Sequence, residues 1–492
     1  MSPKEMLSLA LENHKQKKFN VAINLYNEVL KITPNESNVH NHLGLALQSI
    51  GKNLKAINCY EEAIKINPSL AIAHFNLGAI LQLSGNLEKS MNCYEKAIEI
   101  DPNYIPSQHN LGTVLKDLGE DEKAIDCFEN VLKIDPASTI SQKSIAAVYI
   151  SQLKYLKKAI ISSYKSLRLH NESLKFINPS IPLFRLKHDV QQAEYISQID
   201  NSSSWKLTKN ADFKKGASDR FHEIGNQILN RKENKENDND SNKLVLLNKD
   251  EINSLLPFYK EYHIYQPKKI SGSCINPNKN WQDVEDEYLN SSKKIMFIDD
   301  FLSDEALQEL REFCLVSTVW NQSFNNKYLG AFSDSGFISQ IHLQIAIDLK
   351  KKLPKLFGPH KLGKFWGFKY DSSLGKGINI HADFAIHNLN FWITPDEYNN
   401  DKNSGGLKIY DVPAPDHWTF KEYNDSKDMI YKFLKDSNAN CINIPYKFNR
   451  AVLFNSAYFH ETDEIDFKDD YQGRRINNTY LFGNRLVKNK LR

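Results

Sequence analysis

Apolar and small side chains in the first third of the chain recur at helical spacing. In "AINCYEEAIKINP", Ala56, Tyr60 and Ala63 fall on one face of a helix. The same set returns every 34 residues. Pro34, Pro68, Pro102 and Pro136 share one phase, as do Leu43-Gly44, Leu77-Gly78 and Leu111-Gly112. Tyr26, Tyr60, Tyr94 and Phe128 form another column, and Ala22, Ala56 and Ala124 a third, with Ser90 in the open place. Each period predicts two packed helices. Gly44, Gly78 and Gly112 let one helix approach its partner, and Gly51, Gly85 and Gly119 supply the turn. Each Pro stops the second helix. The first period is present mainly as its second helix, after an unmatched start. "SIAAVYISQLKYLKKAIISSYKSLRLH" reads as a degenerate or capping fifth unit.

The pattern changes in the last two hundred residues. "KKIMFIDDFLSDEALQELREFC" predicts a buried strand and then a helix, with Ser303 as its N-cap and Asp304 and Glu305 in the first turn. Short strand-like runs follow: "GKFWGFKYD", "GINIHADFAIHNLNFWITP", "GGLKIYD", "INIPY", "RAVLFNSAYFHE" and "RRINNTYLFG". Many short strands after a helical start predict a β core with helical support. Between the two regions, "PSIPLFRLKHDVQQAEYISQI" predicts a helical segment docked on the repeats, with His188-Asp189 structural. "NRKENKENDNDSNK" is charged and aperiodic and reads as a linker. Order is expected to resume near residue 292.

Composition narrows the classes. The chain has 492 residues, enough for two or three domains. With 63 Lys and Arg against 60 Asp and Glu, it lacks the basic excess of a dedicated nucleic-acid binder. No apolar run reaches 18 residues, so no membrane span is expected, and "MSPKEMLSLALENHKQ" shows no apolar signal core. These features, and six Cys without a CxxC pair, point to the cytoplasm. Cys59, Cys93 and Cys127 recur at one repeat position and read as packing residues, since the repeats offer no further ligands.

The 34-residue columns closely resemble the tetratricopeptide repeat. That resemblance implies a superhelix whose concave groove binds peptides or partner proteins.

The chemistry of the last region starts with "GINIHADFAIHNLNFW". In an extended segment, residues two apart project to one side, so His381 and Asp383 can reach one ion. The pair alone is equally well read as an ion pair on a half-exposed strand. The best third ligand is His460, at the end of the apolar run in "AVLFNSAYFHETD". Two imidazoles and one carboxylate on one face of Fe(II) leave positions open for a bidentate co-substrate and O2. His387 is excluded: six residues along a strand is about 20 Å from His381. It reads as pocket lining or packing. Tyr370 precedes His381, Gly405-Gly406-Leu407 follows it, and Arg474-Arg475 opens the last strand. An Arg there can pair bidentately with a carboxylate. Neighbours on a strand face opposite ways, so one of the two points inward. Asn388 and Asn390 alternate with Leu389 and Phe391 and could face the interior, where Asn390 would bond a co-substrate or substrate or be a satisfied core amide. Trp366, Trp392 and Phe454 read as core, and His417 and Trp418 as a loop near an entrance.

This ordered set resembles the Fe(II)/2-oxoglutarate-dependent dioxygenase family, in its prolyl-hydroxylase-like branch, over roughly residues 292–488. The resemblance implies a double-stranded β-helix (jelly roll) with supporting helices. It assigns iron to His381, Asp383 and His460, and the distal carboxylate of 2-oxoglutarate to a basic residue on the last strand. "RINNT" is similar to the family's Arg-x-Ser pattern, which favours Arg475 over Arg474, with Asn477 in the Ser place. Tyr370 matches a tyrosine that lines the co-substrate pocket, and "SGGLKIYD" matches a family turn. The cofactors implied are Fe(II), 2-oxoglutarate, O2 and, as an accessory, ascorbate. Because Asp383 is present, hydroxylation is expected over halogenation.

The fold expected is therefore multidomain α + β: repeats over 1–170, a helical segment and linker over 171–291, and an oxygenase over 292–492. The function expected is hydroxylation of a peptide or protein recruited by the repeats. The alternatives are an oxygenase of small molecules or sugars with repeats for assembly only, and a non-catalytic scaffold.

Overall fold

The computed structural model describes residues 1–174, 177–198, 215–231, 243–260, 262–324, 326–371 and 375–485. Most of the polar run "NRKENKENDNDSNK", the expected linker, lies outside the described residues. The chain divides into two compact units, Met1–Val148 and a second beginning at Tyr149.

The first unit is built from helix pairs: α1 (Pro3–Lys15) with α2 (Phe19–Ile32), α3 (Ser37–Ser49) with α4 (Asn53–Ile66), α5 (Ala71–Leu83) with α6 (Leu87–Ile100), and α7 (Ile105–Asp117) with α8 (Asp121–Ile134). The glycine column is steric. A Cβ on Gly44 would sit 2.5 Å from the Tyr60 ring, one on Gly78 2.8 Å from Tyr94, and one on Gly112 2.7 Å from Phe128. Tyr60 and Tyr94 then donate their hydroxyls to Gln48 and Gln82, each at 2.8 Å. The first repeat is more complete than its sequence shows. Helix α1 is full length and is capped by a Ser2–Glu5 capping box, with buried Ala10 in the place of Gly44. The turn column also extends past its glycines. Gly51, Gly85 and Gly119 have φ of 75°, 76° and 86°, and Lys17 and Leu153, one period away at either end, adopt 59° and 54°. A substituted side chain hides a repeat from a glycine count while the backbone keeps it.

In the second unit, helix Leu156–Glu172, read with the repeats in sequence, packs against residues more than a hundred positions on. The Ser163 hydroxyl donates to the Ser333 carbonyl at 2.7 Å, and Tyr164 donates to the Ile338 carbonyl at 2.8 Å. The segment read as docked on the repeats forms helix Leu183–Gln198. It packs instead on helices Lys215–Leu229 and Asp304–Val316. There His188 and Asp189 are buried, and the half-buried Arg185 and Tyr259 both donate to the Asp189 carboxylate. Order also begins before 292: helix Trp281–Asn290 buries Trp281 and Tyr288 in the core.

Seven antiparallel strands form the main sheet. The ribbon of β1 (Ser180–Pro182) and β2 (Leu244–Leu246) precedes it in the chain. The main sheet comprises β3 (Ile295–Ile298), β4 (Gln322–Phe324), β5 (Tyr328–Phe332), β6 (Leu362–Tyr370), β8 (His387–Trp392), β11 (Ala451–Asn455) and β14 (Ile476–Phe482), in the order β3-β11-β8-β14-β6-β5-β4. β9 (Leu407–Pro413), β10 (Cys441–Ile444) and β12 (Tyr458–Thr462) make a three-stranded sheet. β7 (Gly375–Lys376) pairs with β13 (Glu464–Ile465).

Period-two alternation separates the faces. Leu389, Phe391, Leu453, Tyr480 and Phe482 join Leu310, Phe313, Ile341 and Ile345 of the flanking helices in one apolar core. Tyr370, Trp392, Val452 and Phe454 face the other way and pack with Leu407 and Ile409 of the smaller sheet. Between the sheets a polar pocket remains. No described helix is long and apolar enough to cross a membrane.

Candidate metal centre

The two histidines are set side by side by the backbone. His381 does not lie in a regular strand. It forms an isolated antiparallel bridge with His460, donating its N–H to the His460 carbonyl at 3.0 Å and accepting in return at 2.8 Å. The two rings are 4.3 Å apart. The expected single strand through "GINIHADFAIHNLNFW" thus splits into the bridge at His381 and β8 from His387. Asp383 is held by its N–H on the Ser456 carbonyl, 3.0 Å away.

One donor atom from each of His381, Asp383 and His460 lies within 4.8 Å of the others. His381 Nδ1 is 2.8 Å from the Asn379 carbonyl and His460 Nδ1 is 3.0 Å from the Tyr458 carbonyl. A carbonyl only accepts, so each Nδ1 carries the proton and each Nε2 presents a lone pair. His460 Nε2 stands 3.5 Å from Asp383 Oδ2. Burial, with His381 alongside, holds His460 well below the usual imidazole range, so it is a neutral donor. Burial pushes the Asp383 carboxyl up, while His381 and the Asn388 amide oppose the rise. Asn388 Nδ2 donates to Asp383 Oδ2 at 2.7 Å. The donor set, with both imidazoles oriented by carbonyls, fits a first-row divalent ion.

The adjacent arginines diverge. Arg475 is buried, lines the same pocket as the three donors, and lies 4.7 Å over the Tyr370 ring. It donates Nε to the Gly405 carbonyl at 2.6 Å, Nη2 to the Gly406 carbonyl at 3.5 Å and Nη1 to Asn477 Oδ1 at 3.4 Å. Among the described residues no carboxylate lies in ion-pair range of it. The turn that receives it needs its glycines: Gly405 has φ 78°, and a Cβ on Gly406 would collide with the Ile444 carbonyl. Arg474 leaves on the opposite face, pairing with Asp371 at 3.2 Å and donating twice to Gln191 Oε1.

The pocket holds about 350 Å³ of space, its mouth included. It gathers His381, Asp383, His460, Tyr370, Asn390 and Arg475, but not Arg474. Trp366, read as core, lines it too, as do Asn388, Asn477, Thr479 and Thr462. The signal for them was alternation, 366/368/370, 388/390 and 475/477/479, once the strands are known to share a face. Trp392 and Phe454 are core, Phe454 lying edge-on to the His460 ring at 4.9 Å. His387 packs outside the pocket against Tyr288, Phe357 and His360. Trp418 is buried against Phe433 and Phe459, and His417 is exposed.

Tetratricopeptide repeat models match residues 71–104 and 93–126, and a TPR repeat model matches 48–85. The N-terminal region carries tetratricopeptide repeats. Among solved structures, MamA is 24% identical, covering 33% of this chain and 94% of its own, with a TM-score of 0.32. A thermophilic TPR protein of Thermus thermophilus, TTC0263, is 19% identical over 35% of this chain and 93% of its own, TM-score 0.29. YrrB, a TPR protein with an unusual peptide-binding site, is 15% identical over 34% and 86%, TM-score 0.31. No curated protein matches the chain. The three thiols of the repeat column, Cys59, Cys93 and Cys127, are each pushed up to about 11, mainly by burial, and none forms a disulfide.

Proposed function

We propose that the β-rich region is an Fe(II)/2-oxoglutarate-dependent oxygenase, and that it hydroxylates a peptide or protein recruited by the tetratricopeptide repeats. The jelly-roll topology of the family belongs to the same proposal. The observation that carries it is the meeting, in one pocket, of a His-Asp-His donor set and a buried guanidinium without a carboxylate partner among the described residues. Such a guanidinium is costly unless an anion completes it.

In this reading His381, Asp383 and His460 hold iron, and their Nδ1 and amide contacts fix the donor orientation. Bound iron supplies the redox chemistry that couples O2 and 2-oxoglutarate, released as succinate and CO2, to hydroxylation. Arg475 takes the distal carboxylate, and Tyr370 stacks beneath the guanidinium. The sheet walls keep bulk water from the reacting groups. The repeats raise the local concentration of the chain to be modified.

The test is 2-oxoglutarate turnover by anaerobically Fe(II)-loaded protein, wild type against His381→Ala. Succinate from the wild type alone, with Fe(II) binding lost in the variant, is expected. A wild type that neither binds Fe(II) nor forms succinate overturns the proposal.

A further inference from the structure

Three polar atoms of the pocket wall have no hydrogen-bond partner among the described residues: Asn388 Oδ1, Asn390 Oδ1 and Trp366 Nε1. All three side chains line the pocket, and both asparagines are more than nine-tenths buried. They share a neighbourhood in the sheet. Thr479 of β14 lies opposite Trp366 of β6 on one side and Asn390 of β8 on the other. Asn388 is two residues along β8 from Asn390, on the same face.

The orientation of Asn388 is set by what it already bonds. Asn388 must present its amide nitrogen to Asp383, which only accepts, so its oxygen is the free end. Asn390 donates to Thr479 Oγ1 at 3.0 Å, leaving its oxygen. An indole nitrogen only donates. The wall therefore offers two acceptors and one donor, away from Arg475 at the start of β14. Unpartnered buried polar atoms are rare, and each is costly.

Resting on the oxygenase reading, we propose that Asn388, Asn390 and Trp366 form the substrate subsite, and that it takes a primary carboxamide, as on an Asn or Gln side chain. A carboxamide has two N–H groups for the two acceptors and one carbonyl for the indole. A carboxylate has no N–H for the asparagines. An aliphatic or prolyl side chain leaves all three atoms unpaired. An ammonium cannot accept from the indole.

The experiment uses the full chain loaded with Mn(II) and 2-oxoglutarate under anaerobic conditions. Paramagnetic relaxation of ligand protons reports binding without turnover. The probes are Ac-Gly-X-Gly-N-methylamide peptides with X as Asn, Gln, Asp or Leu, whose blocked ends carry no primary carboxamide. The Asn or Gln peptide should bind about tenfold tighter than the Asp and Leu peptides, as expected of a few net hydrogen bonds. Trp366→Phe and Asn390→Leu should each reduce that preference several-fold while Mn(II) is still bound. Equal binding of all four peptides, or a preference unchanged in both variants, overturns the subsite and leaves the oxygenase reading standing. Protein that fails to bind Mn(II) overturns the oxygenase reading itself.

Discussion

The two units of this chain store their information differently. In the repeats, each contact that matters recurs at a fixed offset: Gly44 meets Tyr60 sixteen residues away, and Gly78 and Gly112 repeat the contact one and two periods later. In the second unit nothing recurs. His381 finds His460, 79 positions further along the chain, and Arg475 reaches back to Gly405 and Gly406. A repeat can be read from spacing because its neighbours in space are neighbours in sequence. A pocket between sheets is assembled from distant strands, and only pairing decides which side chains share it.

Perturbing the two units should expose this contrast. The largest effect is expected at the proposed metal donors. His460→Ala should weaken divalent-metal binding by on the order of 10²-fold or more, beyond the loss typical of an outer-shell partner. Hydrogen exchange in α1–α8 should not change. The adjacent arginines should then part company. Arg474→Leu breaks a buried ion pair and should cost about 3 kcal/mol in denaturant unfolding. Arg475→Leu should instead weaken 2-oxoglutarate binding by roughly 10–100-fold in calorimetry, the scale of lost bonds to a charged group.

Acid should act on the second unit next. His342 is fully buried, stacks on Phe365, and is held down to about 3 by burial. In the unfolded chain it titrates at about 6.5. The unfolded state therefore binds the proton first, and the stability is intact above pH 6.5 and lost as pH falls toward about 3. Between pH 6.5 and about 4.5 the loss should be on the order of 2 kcal/mol. Chemical denaturation of His342→Phe across that range should show a flatter acid limb; an unchanged limb would refute this assignment.

The repeats should give smaller and more local effects. Gly44→Ala overpacks the Tyr60 ring and should cost about 1–2 kcal/mol, seen as faster exchange in α3 and α4 alone. Lys17→Gly relieves a left-handed lysine and should slow exchange around the α1–α2 turn by roughly 0.5–1 kcal/mol. If either change spreads to the β sheets, the separation between the units is false.

Legibility followed the same divide. The helix pairs, their turns and their stops are readable, except where Ala10, Lys17 and Leu153 replace a column glycine. Substitution removed the letter, but sterics and backbone geometry kept the position. In the β region, the candidate donors His381, Asp383 and His460 are readable from order and spacing, whereas spacing leaves Arg474 and Arg475 open and only the family resemblance favours Arg475. Trp366 reads as core, because a large aromatic has no sequence mark that separates a pocket wall from packing. For His387 the sequence leaves pocket lining and packing both open. It packs on the helix side of the sheet, since β8 starts at it and turns Asn388 inward.

What lies in the sequence alone is the 34-residue period, the strand alternation and the residue types able to hold a metal and an anion. These depend on local geometry: a helix repeats every 3.6 residues and a strand every two. Tertiary structure alone decided that helix Leu156–Glu172 joins the second unit, that Arg475 rather than Arg474 enters the pocket, and that Asn388 braces Asp383. Each of those depends on which strands and helices lie side by side. That choice is made by the burial of whole faces, which no short stretch of chain specifies.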